Sequence, residues 1–554
     1  MRSISGTRIL LVVFAILFLS VTLALALCKR FELVYYDEIF TLGSGCRLFE
    51  MGHFSKTFML YGLLNTYLIE LAGIVGLLGY ALEAAKGFQI LIALSAAVAV
   101  GKTLRTLFPR RGFRLENMAI AVIVLFGSPL LIIEYSTALP ATGMIAGLAW
   151  TGYLVVSFRW TRGKAAALGL VTAFLLGCRP TSLVFLPAIL LALSRKVPSD
   201  SSLHLWRTRI CWLIVVVSLY LFLAPAHLPR LVVLIIGGIL GLVLTLEALA
   251  RDLRRGLRHH WRILLIWLAV AAVCTMLLFP HYVLHMNELL RQIDSLGPMR
   301  FSIGSVAARA GDLAIALLLV SIIMPGPAIA LALVFAVLLL ASRRYSHRLS
   351  VFLYLGFGLI LYLAVVLGVT GLNQWYLMPL LSWISVLAGI GIKWILQQDR
   401  RLWAIGLLSL LSISLGFQLI ALHEMGGCHF ARMLRYARNN GVHNLSAEGG
   451  AFIPASYSLE DSVSWPLLPA MGRAGAAGHH DCEDARYLAV FGEPPSGWTP
   501  IAEFGIKGTE WEDFRIRDSG NGKWGPAWLL AGHPELWRHW APVVLCRRIG
   551  ASNR

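Results

Sequence analysis

The sequence predicts an all-α polytopic membrane protein with about 13 transmembrane helices and a small C-terminal α/β domain. Three observations predict it: 58% of the 554 residues are hydrophobic, only 14% are charged, and the mean hydropathy is +0.73. Soluble proteins average roughly 45–50% apolar and about 25% charged residues. The composition therefore disfavours a soluble enzyme, a disordered chain and a nucleic-acid binder.

The apolar residues form runs that are long enough to cross a bilayer, which takes about 20 helical residues. The first run is followed by Cys28-Lys29-Arg30 and not by a small-residue cleavage site, so it predicts an uncleaved first helix. The fourteen candidate runs are 9–27, 57–80, 87–108, 117–134, 138–157, 165–178, 181–194, 210–227, 231–249, 263–280, 313–341, 350–369, 376–396 and 402–422.

The basic residues decide how many of these runs span, because cytoplasmic loops carry an excess of Lys and Arg. If 57–80 spans, the basic stretch 102–114 lies outside the cell. Every later loop then also changes sides, which contradicts the rule. If 57–80 lies along the outer surface as an interfacial helix, the inside segments hold 25 Lys and Arg residues against about 10 outside. Asn65 and Glu70 make this run more polar than its neighbours, which agrees. We predict thirteen spans in a bacterial inner membrane, with a cytoplasmic N-terminus and a periplasmic C-terminal domain.

Two domains are expected: a membrane domain over 1–422, whose first external loop covers 28–86, and a polar domain over 423–554. The second segment has 13 Lys and Arg against 14 Asp and Glu, so the +19 net charge belongs to the membrane domain. A helix over 431–439 and strands at Tyr487–Phe491 and Val543–Cys546 predict its α/β character.

Two membrane segments leave alternatives open. The runs 165–178 and 181–194 are short for full spans, and Arg179-Pro180 between them is either a hairpin tip or a break in one long helix. Pro325-Gly326-Pro327 predicts a kink or a split in 313–341.

The first external loop carries the most informative group of polar residues. Asp37 and Glu38 follow a Tyr-Tyr pair, in the order YYDEIF, within a dozen residues of the end of the first helix. Adjacent carboxylates at a membrane surface can act as a general base for an acceptor hydroxyl, or can hold a divalent cation. The alternative is a solvated acidic loop.

The order of several elements resembles the GT-C class of integral-membrane glycosyltransferases, especially the aminoarabinose transferase and protein mannosyltransferase group, which use polyprenyl-phosphate sugars. These elements are YYDEIF, the Lys56 stretch FSKTFML before the interfacial helix, Arg179 at an external helix end, and the late stretch NQWYLMPLL. The resemblance covers about 9–422. Ser55 stands where the aminoarabinose branch has a second carboxylate, and Asn373-Gln374 replace a late basic pair, so protein mannosyltransferase identity is not supported.

The resemblance implies transfer of a hexose or pentose from a polyprenyl-phosphate donor to a lipid, glycan or protein acceptor in the cell envelope. Asp37 and Glu38 are the expected catalytic residues. Lys56, Arg179, Tyr36, Glu134 and Tyr376 are the expected substrate- or phosphate-binding residues. No cofactor is assigned with certainty, although a divalent cation at the acidic pair stays open, and no nucleic acid partner is expected.

Two other functions compete with this one. A polymerase or ligase of lipid-linked polysaccharides would be expected to use a large loop between late spans, and the loop 281–312 is poor in carboxylates. A transporter or flippase usually places ionisable residues near mid-membrane, whereas here the charges crowd at the ends of the spans. His281, His285 and Glu288 have the i, i+4, i+7 spacing of a zinc site, but a polar helix end is the favoured interpretation.

Overall fold

The structure is a computed structural model, which describes part of the chain. The described residues are 2–28, 63, 64, 67, 81–108, 114–127, 141–194, 260–284, 286, 287, 329, 331–334, 336, 352, 355, 356, 374–397, 401–425, 433, 436, 437, 439–442, 445–447, 486–491, 494, 496–504 and 543–549.

Helices dominate the described part of residues 1–425. They are α1 Arg2–Cys28, α2 Ala81–Leu107, α3 Arg114–Phe126, α4 Ala141–Val156, α5 Arg162–Cys178, α6 Phe185–Ser194, α7 His260–Leu278, α8 Gln374–Gln397 and α9 Arg401–Met425. Four of them contain a segment that is long and apolar enough to cross a membrane, namely Gly6–Leu27, Gly87–Leu107, His260–Leu278 and Pro379–Leu396. The predicted helical membrane architecture is confirmed to this extent.

The count of thirteen spans stays a prediction. The runs 210–227 and 231–249 lie outside the described residues, and 57–80, 313–341 and 350–369 are described only at isolated positions. Described residues 64 and 67 are helical, within the predicted interfacial helix.

Small residues let the central helices approach closely. Ala93, Ala96 and Ala97 of α2 lie in one buried cluster with Ala146 and Ala149 of α4, and the same cluster includes residues of α1, α3, α8 and α9. Close backbone approach through small side chains is the usual way in which membrane helices associate, because lipid tails are as apolar as the side chains themselves. The core is therefore held by van der Waals packing.

The segment around Arg179 is a hairpin and not a break in one long helix. Helix α5 ends at Cys178, Pro180–Val184 form a 3₁₀ turn, and α6 then begins at Phe185. Ile189 and Leu193 of α6 share a buried cluster with Leu168, from the first half of α5. The chain thus doubles back, and Arg179 lies at the tip.

One end of the helix bundle is rich in basic residues. Nε of Arg8 in α1 lies 3.1 Å from a carboxylate oxygen of Glu116, at the start of α3. Lys393 of α8 lies 5.5 Å from the ring centre of Phe108, just after α2. We call this the basic end, and it also carries the exposed Lys102. Helices α1, α3, α5, α7 and α9 run away from it, whereas α2, α4, α6 and α8 run toward it. This alternation agrees with the predicted order of the spans. Which side of the membrane the basic end faces stays a prediction.

A four-stranded sheet lies in the C-terminal part, in the order β1-β2-β4-β3. Its strands are β1 Leu445–Ala447, β2 Tyr487–Phe491, β3 Trp498–Phe504 and β4 Val543–Arg548. The β1–β2 pair is parallel, and the pairs of β4 with β2 and β3 are antiparallel. Both predicted strands are therefore present. That 423–554 forms a separate extracytoplasmic domain is not tested by the described residues.

The packing of α5 against α7 gives a stability prediction. A Cβ added at Gly169 would lie 2.8 Å from both the Trp267 carbonyl oxygen and the Val270 Cβ, whereas one added at Gly416 of α9 would meet nothing within 4 Å. We expect Gly169→Ala to lower the free energy of unfolding by about 1–3 kcal/mol through overpacking. The control Gly416→Ala should leave it unchanged or raise it by up to about 1 kcal/mol through helix propensity. Thermal unfolding of the detergent-solubilised protein measures both, and equal effects would contradict the close packing of α5 and α7.

Candidate active site

Three segments meet at the end of the bundle opposite the basic end: residues 63, 64 and 67, residues 279–282 and the α5–α6 tip. Leu63, Phe279 and Tyr282 form a buried cluster, with Tyr67 packed against it. The Tyr67 and Phe279 rings are stacked with centroids 5.6 Å apart, and the Phe279 and Tyr282 centroids lie 6.3 Å apart. We call these four residues the aromatic cluster. It joins the predicted interfacial helix to the end of α7.

Hydrogen bonds tie the aromatic cluster to the helix that carries Arg179. The Tyr282 hydroxyl donates to the Leu176 carbonyl oxygen at 3.2 Å, and the Tyr67 hydroxyl is hydrogen-bonded to Nδ1 of His281. Burial raises the pKa of the Tyr282 phenol above its usual range. The phenol therefore stays protonated at neutral pH and remains a hydrogen-bond donor.

Two glycines make this close approach possible. A Cβ at Gly143 of α4 would lie 2.6 Å from Sγ of Cys178, and one at Gly177 of α5 would collide with the Phe279 ring. With hydrogen in place of a side chain, α4 and Phe279 pack directly against the last turn of α5. The tip is consequently seated in the bundle and not displayed on a mobile loop.

Arg179 lies at the centre of this arrangement. Its backbone is extended, with φ −157° and ψ 133°, and its N–H donates to the Leu175 carbonyl at 3.0 Å. Its carbonyl accepts from the Ser182 N–H at 3.0 Å, which closes the turn. Although it follows a helix end, the residue is only 8% exposed. A guanidinium in such low-dielectric surroundings interacts strongly with an anion, and its planar fork suits a phosphate.

Two buried hydroxyl groups belong to the tip and to the start of the helix that packs against it. Ser182 lies in the same turn, and Thr142 lies at the start of α4, beside Gly143. Both side chains are buried, and neither oxygen has a hydrogen-bond partner in the described part of the chain. A buried hydroxyl group without a partner is destabilising. These two groups are therefore able to receive hydrogen bonds from, or donate them to, a ligand that reaches the tip.

The structure describes two of the seven predicted site residues. Arg179 occupies the buried tip, and Tyr376 lies in the first turn of α8. Because α8 runs toward the basic end and reaches it at Lys393, its first turn lies at the same end of the bundle as Arg179. The other five lie outside the described residues, and their roles stay predictions: Asp37, Glu38, Tyr36, Lys56 and Glu134.

No metal centre is found among the described residues, where no three His, Cys, Asp or Glu side chains come together. His281 lies beside Tyr67, which agrees with the interpretation of a polar helix end. The other two members of the proposed zinc spacing, His285 and Glu288, lie outside the described part. The divalent cation considered for Asp37 and Glu38 thus remains an expectation from the sequence alone.

Sequence reasoning missed the part played by Tyr67 and Tyr282. Tyrosines near the ends of membrane helices are common interfacial anchors, so their presence alone does not distinguish a site. Their partners are distant in sequence: His281 is 214 positions from Tyr67, and Leu176 is 106 positions from Tyr282. The available signal was the pair of tyrosines in 61–67 together with the Phe-Pro-His-Tyr stretch at 279–282.

The hydrogen bond of Tyr282 gives a second prediction. Tyr282→Phe removes the hydroxyl and leaves the Leu176 carbonyl without this donor, so the free energy of unfolding should fall by about 0.5–1.5 kcal/mol. The matched control is Tyr436→Phe, because this side chain is 37% exposed and lies in the C-terminal part. Thermal unfolding in detergent compares the two, and equal stability of both variants would show that the Tyr282 bond does not hold the tip.

Comparisons with known proteins give a distant likeness. No protein-family model matches the chain, and no curated protein matches it. Among solved structures, the chain is similar to the crystal structure of ArnT from Cupriavidus metallidurans bound to undecaprenyl phosphate. The two share 14% sequence identity, with 77% of this chain and 72% of that chain covered and a TM-score of 0.39. At this identity and TM-score, the likeness assigns neither a family nor an activity to the chain.

Proposed function

We propose that this chain is a GT-C-type integral-membrane glycosyltransferase, which moves a hexose or pentose from a polyprenyl-phosphate donor to a lipid, glycan or protein acceptor. The observation that supports this most directly is the position of Arg179. It is a buried cation at the end of a bundle of apolar helices, seated in a turn that two glycines and the aromatic cluster fix in place.

The donor chemistry explains why a cation is needed there. The polyprenyl chain remains in the bilayer, so the phosphate that links it to the sugar lies at the membrane surface. When the sugar departs, negative charge builds on that phosphate. A preorganised guanidinium in a water-poor site stabilises such charge without reorganising at the moment of reaction. Arg179 meets this requirement better than an exposed surface arginine would.

The direction of the helices supports a common site for Arg179 and the acidic pair. Helix α1 runs away from the basic end and finishes at Cys28, on the same end of the bundle as Arg179. Asp37 follows nine residues later, a length of chain that spans at most about 30 Å. If the basic end faces the cytoplasm, both groups lie at the external face.

The proposed reaction is a displacement at the anomeric carbon of the sugar. Asp37 accepts the proton of the acceptor hydroxyl while the oxygen of that hydroxyl bonds to the anomeric carbon. The bond from that carbon to the phosphate oxygen breaks, and polyprenyl phosphate leaves with the electron pair. Glu38 orients the acceptor or holds a divalent cation, which would offset phosphate charge. Arg179 and Lys56 bind the departing phosphate, while Tyr36, Glu134 and Tyr376 line the substrate site.

The role of Arg179 is tested by measuring release of polyprenyl phosphate from a panel of labelled polyprenyl-phosphate monosaccharides. Arg179→Gln should lower the rate about 10²–10³-fold, as removal of a transition-state donor does elsewhere. Arg179→Lys should be intermediate, because it keeps the charge but loses the bidentate fork. Arg159→Gln is the control, because this exposed arginine follows α4 at the basic end. Wild-type turnover by folded Arg179→Gln protein would refute the phosphate-binding role.

The role of Asp37 is tested in the same assay. Asp37→Asn removes the proton acceptor at nearly constant volume, so turnover should fall about 10²–10⁴-fold while donor binding is retained. Asp37→Glu, which keeps the carboxylate, is the matched variant and should retain more activity. An Asp37→Asn protein with normal membrane abundance and an unchanged rate would rule out Asp37 as the base.

A further inference from the structure

A second lipid-facing feature lies between α2, α4 and α5, beside the second half of α5. Helices α2, α4 and α5 enclose an apolar groove of about 410 Å³, within the range of ligand-binding pockets. Its walls include Ile92 of α2 and Phe174 of α5, and Ala146 and Gly147 of α4 contribute small side chains to it.

The groove has the exposure and size of a site for a lipid chain. Leu91 and Leu170, on opposite sides of it, are 61% and 51% exposed. Along α2 the groove extends from Phe88 to Ser95, about 10 Å of helix. The hydrocarbon layer of one leaflet is about 15 Å thick. Along α5, the distance from Lys164 to Phe174 at the far wall of the groove is ten residues, or about 15 Å. An acyl chain whose phosphate lies beside Lys164 therefore reaches the far wall within about the depth of one leaflet.

Trp150 marks the polar end of the groove. Its indole Nε1 donates to the Ser95 hydroxyl at 2.7 Å, which fixes the ring between α2 and α4. The Lys102 ammonium lies 5.0 Å from the centre of this ring and 5.5 Å from that of Tyr153. The Lys164 ammonium lies 5.6 Å from the Tyr153 ring centre. Two cations thus surround one aromatic ring at the groove's end.

This arrangement is complementary to an anionic lipid headgroup. Like charges repel, so two ammonium groups around one ring are stabilised by an anion between or beside them. Each ammonium has three N–H donors, and contact with a ring face leaves some of them available for phosphate oxygens. Trp and Tyr rings are also typical of the depth at which headgroups begin. The apolar groove and the cationic end therefore match the two parts of one lipid molecule.

We propose that this groove binds one acyl chain of an anionic glycerophospholipid, whose phosphate is held by Lys102 and Lys164 beside Trp150 and Tyr153. The positive-inside rule places these lysines at the cytoplasmic leaflet, where anionic lipids attract basic residues. The phosphate position is separate from that of the proposed donor: Lys164 and Arg179 lie at opposite ends of α5, about 22 Å apart along the helix. The far wall of the groove, at Phe174, lies about 8 Å along the chain from Arg179.

Native mass spectrometry of the purified full-length protein tests the headgroup contacts. With dioleoyl phosphatidylglycerol as the probe, Lys102→Gln and Lys164→Gln should each weaken binding about fivefold, and the double variant about 25-fold, from roughly 1 kcal/mol per basic residue. Arg105→Gln, an exposed cation in the last turn of α2, is the matched control and should leave affinity unchanged. Dioleoyl phosphatidylcholine, with the same chains and no net charge, should bind wild type as weakly as the double variant binds phosphatidylglycerol.

The groove contact is tested with probes that share the phosphate but lack a long chain. Dihexanoyl phosphatidylglycerol and inorganic phosphate should bind at least tenfold more weakly than the dioleoyl lipid. Equal binding of the short-chain probes would overturn the role of the groove, and wild-type affinity in the double lysine variant would overturn the role of the lysines. Displacement of phosphatidylglycerol from this site by a lower concentration of polyprenyl phosphate would show that the occupant is wrong. These readouts need no transferase activity, so they stand or fall independently of the proposed reaction.

Discussion

The high free energy of placing charge in hydrocarbon organises the described part of this molecule. Ionisable groups are expensive in the centre of a bilayer, and the described helices keep them at their two ends. The two ends carry different kinds of charged groups. At the basic end, Arg8, Glu116 and Lys393 come from three helices and form a layer of opposite charges. At the other end, Arg179 is buried in the α5–α6 tip, and the last turn of α5 packs against the aromatic cluster. The apolar middle is therefore the reason that two chemically distinct surfaces exist.

Small residues then determine how firmly Arg179 is held. Gly143 and Gly147 are one helical turn apart on α4, and both face the last turns of α5, at Cys178 and Leu175 respectively. Gly169 and Gly177 are two turns apart on α5, and they face the Trp267 backbone and the Phe279 ring. Since these contacts leave no room for a methyl group, α4, α5 and α7 have little freedom to slide. A rigid frame of this kind suits a group that must meet developing charge in one geometry.

Hydropathy and charge alone were sufficient to predict much of the helical scaffold. The runs 87–108 and 376–396 correspond closely to α2 and α8, and the strand predicted at 487–491 is β2, because period and length are local properties of a sequence.

The hairpin at Arg179 could not be predicted in the same way. A proline after a basic residue fits both a turn and a kink, and the choice depends on Leu193 and Ala165 sharing one buried cluster. The aromatic cluster was also missed, since its contacts join residues that are more than a hundred positions apart. Asp37 and Glu38 lie outside the described residues, so their assignment still rests on the sequence pattern.

Helix α5 connects the two proposed lipid contacts, and their physical character differs in a way that fits different roles. Near its first turn, Lys164 and the exposed Lys102 remain hydrated, so their attraction for an anion is screened by salt and the lipid they bind can exchange. After its last turn, Arg179 lies in surroundings of low polarity, where each charge interaction is several times stronger. Between them, the buried hydrogen bond from Trp267 Nε1 to the Thr172 hydroxyl, at 3.0 Å, joins α5 to α7. A membrane lipid that only needs to fill a groove suits the first environment. A phosphate on which charge must be stabilised during bond cleavage requires the second.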